Sequence, residues 1–365
     1  PTGDTLALTG TYLGTPGANI LTLNVGGASS ASNTAWSDYN TAVTFSASTA
    51  MSGGAGYTNE RWSIGSAYST AALTTGGSTY SKTYYHQVQN TFSVSGVSGS
   101  DSVALTGTYL GTGSSTIVTL NSGNSWSASA WSDYNVAVTF PASTANSVST
   151  ERWSIGSASP TVALTTGGNT YSKAYTHQYS VTFGYGDQDF SVITSGSKIG
   201  SYYQFGSSTA GTINAGSSLG ATSPVSDWVD AGTGKVSYQT FTAGSGTERW
   251  ALSSSPASFN VVSSTTISDL NFFHQYSVTF GYSTSDSSHI ANTLAVGSYS
   301  QFGSSQSMTS DGTGAVSPSS AWVDAGSAKV SYVTATAVSG TERWALSSSP
   351  DNKAVSSSTT IDRKS

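Results

Sequence analysis

A Trp-x-Asp motif occurs four times along this chain of 365 residues, and the repetition constrains the fold more than any other feature. Successive copies are separated by 95, 97 and 94 residues. Self-similarity at a nearly fixed period indicates that each copy belongs to one structural unit. The copies are Trp36 with Asp38, Trp131 with Asp133, Trp228 with Asp230, and Trp322 with Asp324.

A Glu-Arg-Trp motif follows each copy, and a His-Gln pair follows three of them. The histidines His86, His177 and His274 each lie 24 residues after the tryptophan of the preceding Glu-Arg-Trp. We therefore divide the chain at His-Gln into modules one to four, residues 1–86, 87–177, 178–274 and 275–365. The Glu-Arg-Trp residues are Glu60, Arg61 and Trp62; Glu151, Arg152 and Trp153; Glu248, Arg249 and Trp250; and Glu342, Arg343 and Trp344.

The sequence between the motifs has the pattern of β-strands. Segments such as VALTGTYLG and YSVTFGY alternate apolar and polar residues and are bounded by Gly, Ser and Asn. No stretch of eleven residues shows a helical period. Short strands in units of about 95 residues match the two-sheet sandwich of immunoglobulin domains. We predict an all-β fold of four tandem Ig-like β-sandwich modules in an elongated array.

The composition excludes several partners. Charged residues form 8% of the chain, where about 25% is usual. A net charge of −6 with few Lys and Arg provides no basic cluster for nucleic acid, and no apolar run is long enough for a membrane span. The chain has no Cys and therefore no disulfides. It has no Asn-x-Ser/Thr sequon, so O-linked glycans are the sugars that it could carry.

The recurring charges are expected to be structural. A charged residue that recurs beside tryptophan, in a chain with so few charges, is typical of a partly buried pair. We expect each Glu-Arg-Trp arginine to pair with the aspartate of Trp-x-Asp or with the glutamate of its own motif. The alternative is a binding site that is presented four times.

Two recurring lysines, Lys82 and Lys173, suggest an isopeptide bond within the module. Burial would keep the amine neutral, and a neighbouring carboxylic acid would relay protons. The expected partner is an Asn or Asp on the Trp-x-Asp-Tyr-Asn strand. The alternative is a lysine on a sheet edge whose amine reaches solvent.

The sequence does not support catalysis. One histidine per module supplies a single ligand where zinc needs three or four, so a hydrogen bond at the module junction is the expected role. Carboxylate pairs as in glycosidases would imply four active sites in four small modules, and no GxSxG motif is present. We predict no enzymatic activity, no cofactor and no metal.

Module one differs from the others at its start. Modules three and four begin with YSVTFGY and module two with VQNTFSVSG, whereas module one enters directly at TLALTGTYLG. A sandwich that lacks a strand exposes unpaired backbone. We expect another subunit to supply this strand, with the C-terminal segment AVSSSTTIDRKS as the donor. The alternative is that the chain is an excerpt of a longer repeat protein.

The segments WVDAGS, TERWALSSSP and FHQYSVTFGY resemble the tandem Ig-like repeats of archaeal secreted and cell-surface proteins. The Cys-free, Ser/Thr-rich, multi-domain pattern is also similar in style to archaeal thread-like extracellular filament subunits. These resemblances imply an extracellular β-sandwich protein that serves surface architecture or adhesion.

We therefore predict a structural subunit of an extracellular filament or cell-surface layer. The subunit would form a homopolymer, assembling head to tail through β-strand complementation. The alternative is a cell-surface adhesin or carbohydrate-binding repeat stalk. An adhesin of this kind would expose aromatic residues on one face, whereas a structural subunit would bury most of the recurring tryptophans.

Overall fold

The computed structural model describes residues 4–24, 30–50, 58–254, 257–268, 270–337, 343–345 and 352–364. Within these ranges the regular structure is all β apart from one 3₁₀ turn, Ser122–Asn124. The structure confirms the predicted all-β fold, with the strands arranged in several sheets. Internal contacts divide the chain into two compact units, Pro1–His177 and Gln178–Ser365. No helix among the described residues is long and apolar enough to cross a membrane.

The first unit contains modules one and two. The strands of module one are β1 (Thr5–Tyr12), β2 (Thr15–Asn24), β3 (Thr44–Phe45), β4 (Ser48–Ala50), β5 (Glu60–Ser63) and β6 (Tyr68–Ser69). After β7 (Tyr85–Ser95), the strands of module two are β8 (Ser102–Tyr109), β9 (Thr112–Asn121), β10 (Ser127–Asp133), β11 (Thr139–Phe140), β12 (Glu151–Ser154), β13 (Ser159–Pro160) and β14 (Thr170–Ala174).

The second unit contains modules three and four. After β15 (Thr176–Phe183), the strands of module three are β16 (Gly186–Asp187), β17 (Lys198–Gln204), β18 (Ser207–Ala215), β19 (Thr222–Ser223), β20 (Ser226–Asp230), β21 (Gly232–Tyr238), β22 (Phe241–Ser245), β23 (Glu248–Ala251), β24 (Ser258–Val261) and β25 (Thr265–Ile267). After β26 (Asn271–Ser283), those of module four are β27 (Ala295–Gln301), β28 (Ser304–Ser310), β29 (Val316–Ser317), β30 (Ser320–Asp324), β31 (Gly326–Tyr332), β32 (Ala335–Ala337), β33 (Arg343–Ala345), β34 (Lys353–Val355) and β35 (Thr359–Lys364).

Long strands, here called boundary strands, cross the predicted limits between modules. In the first unit, the start of β7 pairs antiparallel with β5 of module one. The rest of β7 lies between two strands of module two, antiparallel to β10 and parallel to β14. One continuous strand therefore completes a sheet in each of two modules.

The second unit repeats this arrangement with β26 as its boundary strand. The start of β26 pairs parallel with β16 and antiparallel with β23 of module three. Its later residues lie between β30 and β35 of module four. The residues of β15 from Gln178 onward are likewise flanked by β20 and β25.

The C-terminal segment contradicts one prediction. β35 pairs in parallel with its own module's boundary strand, from Val278 opposite Thr359 to Ser283 opposite Lys364. The segment AVSSSTTIDRKS therefore contributes to module four as β14 contributes to module two. Because its hydrogen bonds are already made there, the prediction that this segment is donated to another subunit is wrong.

The described part of module one has no strand between two segments whose equivalents in module two flank a boundary strand. Residues 32–38 are equivalent to β10, and residues 79–83 are equivalent to β14. Neither segment forms a strand in module one, and among the described residues no boundary strand lies between them. We call this gap the module-one slot.

Candidate functional site

Each aspartate of Trp-x-Asp holds the tip of a β-hairpin. Asp133 accepts hydrogen bonds from the backbone N–H groups of Leu110 at 3.0 Å and Gly111 at 2.7 Å. Both turn residues have positive φ, 52° at Leu110 and 75° at Gly111, a conformation that is unfavourable for a bulky residue such as Leu. The other aspartates accept from Leu13 and Gly14, from Phe205 and Gly206, and from Phe302 and Gly303.

A buried glutamine connects this aspartate to the preceding module. The Gln87 side chain is fully buried and donates to Asp133 Oδ1 at 3.1 Å. Its carbonyl oxygen accepts from Arg61 Nε at 3.0 Å. The Arg61 guanidinium also lies 4.2 Å from the ring centroid of Trp131, close enough for a cation–π interaction. Glu-Arg-Trp of one module thus meets Trp-x-Asp of the next.

The junction in the second unit repeats these contacts. Gln275 donates to Asp324 Oδ1 at 2.9 Å and accepts from Arg249 at 3.0 Å and 2.9 Å. Arg249 lies 4.4 Å from the ring centroid of Trp322, and burial lowers the pKa of Arg249. The arginine, the glutamine, the aspartate and the tryptophan therefore make the same contacts at both of these boundaries.

The predicted pairing of arginine with a carboxylate is wrong for Arg61 and Arg249. Each guanidinium donates to a neutral glutamine oxygen. The aspartate instead accepts hydrogen bonds from the hairpin N–H groups and from the glutamine amide. A direct buried ion pair would require both charges to lose water for one mutual contact. The glutamine instead satisfies both groups without bringing the charges together.

The remaining motif residues are placed as follows. Gln178 donates to Asp230 at 2.9 Å in the second unit, where Trp228 is half-buried. Arg152 lies in β12, and Arg343 is exposed in β33. Glu342 lies outside the described residues.

The histidines bond to the glutamate of Glu-Arg-Trp. His86 Nε2 lies 3.1 Å from Glu60, and His177 Nε2 lies 2.8 Å from Glu151. The histidine rings pack on the tryptophan rings of the same motifs, Trp62, Trp153 and Trp250. Within the described ranges, no group of three His, Cys, Asp or Glu side chains could hold a metal. Each histidine therefore makes a hydrogen bond, but with a glutamate of its own module and not across the junction as predicted.

An aromatic anchor that was not predicted from the sequence lies two residues before each histidine. Tyr84 and Tyr175 donate their hydroxyls to the carbonyl oxygens of Ser46 and Pro141, both at 2.6 Å. Phe272 is fully buried in the core of module three. Burial raises the pKa of Tyr84 to about 12. The signal was present in the sequence as aromatic-x-His-Gln in all three copies.

In the second unit, His274 has two acidic neighbours. Its Nε2 lies 2.8 Å from Glu248, and its Nδ1 lies 3.1 Å from Asp189. The Asp189 N–H donates to Asp187 Oδ1 at 3.0 Å, and Asp187 is 6% exposed. Burial, reinforced by the adjacent Asp189 carboxylate, raises the pKa of Asp187 to about 8. Burial alone would also raise the pKa of Asp189, but its hydrogen bonds and the His274 charge outweigh this effect and lower it.

We expect Asp187 to make module three less stable as the pH rises. The folded state holds a proton that the unfolded carboxyl releases near pH ~4. The stabilisation is therefore complete below that pH and is lost as the pH rises through about 8. Asp187→Asn keeps a neutral side chain of similar shape. The melting temperatures of the two chains should converge toward low pH and separate toward pH ~9, with the native chain lower; a difference that does not vary with pH would contradict this assignment.

Lys82 does not lie in the buried environment that an isopeptide bond needs. Its side chain is exposed, and its ammonium lies 3.2 Å from the ring centroid of Tyr68. Lys173 is half-buried in β14. The isopeptide bond stays a prediction, with Lys173 the better placed of the two lysines. Intact mass tests it, because each bond removes one ammonia or water.

No family model and no curated protein matches this chain. Among solved structures it is similar to the Bacillus anthracis TIE protein, at 9% identity over 89% of this chain and 58% of that chain, with a TM-score of 0.25. It is also similar to the pilus adhesin SpaC from Lactobacillus rhamnosus GG, at 12% identity over 84% and 46%, with a TM-score of 0.25. A third is a Streptococcal ancillary pilin, at 9% identity over 76% and 98%, with a TM-score of 0.21. The chain thus spans about half the length of the first two.

Proposed function

We propose that the chain is a non-enzymatic structural subunit of an extracellular pilus-like filament or cell-surface layer, of the kind that the archaeal resemblance implies. The subunits assemble head to tail by strand complementation, and a strand from another copy fills the module-one slot. The observation that carries this proposal is that module one has the contact groups of a junction without the strand that they bind elsewhere.

The tryptophan of the slot is exposed. Trp36 is 83% exposed, whereas Trp131 and Trp322 are half-buried beneath an arginine of the preceding module. Asp38 still accepts from the hairpin N–H groups of Leu13 and Gly14. The Asp38 carboxylate is therefore already in position to accept from the glutamine of a complete junction, which in turn contacts an arginine.

The core of module one is also incomplete. In module two, Phe92 of the boundary strand is fully buried, with Phe140 and Tyr171 6.4 Å and 6.0 Å away between ring centroids. The equivalents of those two rings are Phe45 and Tyr80, and Tyr80 is 43% exposed. A strand that inserts an aromatic side chain here would remove apolar surface from water. Its backbone would pair with residues 32–38 on one side and 79–83 on the other.

Module four offers the matching half of a junction. Arg343 of its Glu-Arg-Trp is exposed, as Trp36 is. In both complete junctions described above, an arginine of this motif stacks on the tryptophan of Trp-x-Asp. Arg343 of one copy and Trp36 of another would make the same contact, and this gives the assembly its head-to-tail polarity.

The expected result is that native material forms long unbranched fibres in electron micrographs, and that Trp36→Ala weakens their formation. The lost cation–π contact is worth about 0.5–2 kcal/mol, or roughly 2- to 30-fold in the critical concentration. Trp131→Ala is the matched control, because it removes an internal contact of the same kind. Monodisperse monomers, or equal critical concentrations for Trp36→Ala and Trp131→Ala, would contradict the proposal.

One observation favours the adhesin alternative. Trp36 and Tyr39 are 83% and 77% exposed and lie close in sequence, so their rings could stack on a sugar. The other recurring tryptophans are at least half-buried in the described structure. If the chain is an adhesin, soluble monomers should bind a glycan array, and Trp36→Ala should abolish this binding.

The main proposal includes O-linked glycans on the subunit. The intact mass of native material would reveal them.

A further inference from the structure

In modules two, three and four, the strand through which the chain enters runs parallel to the last described strand. The boundary strands β7, β15 and β26 are the entry strands of these modules, and β14, β25 and β35 are their last described strands. β7 pairs in parallel with β14, β15 with β25, and β26 with β35. We call each of these an entry–exit pair.

The direction of the strands decides how a pull on the chain reaches module two. Thr170 of β14 lies opposite Thr91 of β7, and Ala174 lies opposite Ser95. The chain therefore enters module two at the start of β7 and leaves it, after Ala174, at the opposite end of the entry–exit pair. A force that separates these two points pulls the strands in opposite directions, so they can part only by sliding past each other.

Sliding strains all the hydrogen bonds of a pair at once, because the bonds of a parallel ladder are evenly spaced along both strands. Peeling the strands apart from one end would instead break the bonds in turn. The pair in module two covers five residues of each strand, and the pair in module four covers six. The Tyr175 N–H extends the ladder of module two with a bond of 2.8 Å to the Ser95 carbonyl oxygen.

Further hydrogen bonds hold the start of each entry–exit pair. In module two, Asn90 Oδ1 accepts from the Asn169 N–H at 2.9 Å, directly before β14. In modules three and four a serine hydroxyl donates to a carbonyl oxygen of the entry strand; these contacts are Ser264 to Ser180 at 2.8 Å and Ser358 to Ser277 at 2.9 Å. The same end of the pair is therefore held in all three modules, by different side chains.

We propose that the entry–exit pairs are mechanical clamps, which let the chain carry tension through modules two, three and four without unfolding. This function goes beyond the proposed one, because it belongs to a single chain. A subunit in a filament and a stalk on a cell surface would use the clamp in the same way.

The test compares two directions of pulling on module two of the full chain in an optical trap. Because the chain contains no Cys, a pair of introduced cysteines gives unique attachment points. Thr83→Cys with Ala174→Cys pulls β7 and β14 from opposite ends, which loads the pair in shear. Ser98→Cys with Ala174→Cys pulls both strands from the same end, which peels them apart. All three positions are exposed, so the substitutions should leave the fold unchanged.

We expect module two to unfold at least ~10-fold more slowly in shear than in peeling at the same force. Forced unfolding is governed by the unfolding rate, and breaking even two hydrogen bonds together rather than in turn changes that rate by about tenfold. Equal rates in the two directions, or faster unfolding in shear, would overturn the proposal.

Proline substitutions in the shear geometry test the bonds themselves. The Tyr175 N–H faces β7, and N–H groups alternate along a strand, so the Lys173 N–H also faces β7 and the Ser172 N–H faces away. Lys173→Pro should speed unfolding at least ~3-fold, because it removes a bond of the ladder. Ser172→Pro is the matched control and should change the rate less than ~2-fold. Equal effects of the two prolines would contradict the clamp.

A third variant separates the backbone from the lysine side chain. Lys173→Ala keeps the N–H and should unfold under force as the native chain does, whereas an effect as large as that of Lys173→Pro would assign the strength to the side chain and overturn the proposal. The clamp and the polymer are tested separately. A chain that forms no fibres but resists shear would support the clamp and contradict the polymer, and fibres from a chain with equal rates in both directions would do the reverse.

Discussion

Asp133→Ala should destabilise module two by about 3–5 kcal/mol, because it removes one member of a buried, hydrogen-bonded charge network. The substitution leaves two turn N–H groups and the Gln87 amide without their acceptor. We expect peptides covering β8 and β10 to exchange their amide hydrogens faster. Mass spectrometry of hydrogen exchange on the full chain measures this change.

The matched control is Asp38→Ala in module one. Asp38 accepts from the same two turn positions, Leu13 and Gly14, but the described structure gives it no glutamine. We expect a smaller loss, about 1–3 kcal/mol. Equal losses at the two positions would contradict the role of Gln87 in joining modules one and two.

Phe92→Ala should also destabilise module two by about 3–5 kcal/mol, because a fully buried aromatic side chain leaves a cavity in a packed core. Thr91→Ala on the same strand is the control. The Thr91 hydroxyl contacts Ser129 on the outer face, so its loss should cost less than about 0.5–1 kcal/mol.

Because of the position of Phe92 within β7, we expect its substitution to affect module two and not module one. Phe92 lies in the half of β7 that pairs with β10 and β14, beyond the residues that pair with β5. Faster exchange should therefore appear in peptides of module two, while peptides from β1 and β2 stay as in the native chain. An equal effect on both modules would contradict the division of the boundary strand.

The repeat and the all-β fold could be predicted because period and alternation are local properties of a sequence. The partners of the motifs could not be predicted in the same way. The arginine contacts depend on two modules packing together through one strand, and charge alone predicted that Arg61 pairs with an aspartate or a glutamate and not with Gln87. Nothing in the spacing shows that the hairpin N–H groups already occupy the aspartate.

For the ends of the modules, too, only part of the arrangement could be predicted from the sequence. The sequence predicted that module one lacks a strand that the other modules have, but the position of the slot between residues 32–38 and 79–83 required the pairing of β7 with β10 and β14. The sequence also did not show that the segment around Ile361 belongs to the sheet of module four. In the structure its backbone pairs with β26, and Ile361 is buried in the core of module four. Parallel pairing between strands about eighty residues apart leaves no local signature.

The central claim is that another strand fills the module-one slot when subunits assemble. Hydrogen exchange of residues 32–38 and 79–83, compared between native assemblies and dissociated monomers, tests it most directly. We expect rapid exchange in both segments of the monomer and strand-like protection of both in the assembly. Equal exchange in the two states, whether fast or slow, would contradict the account.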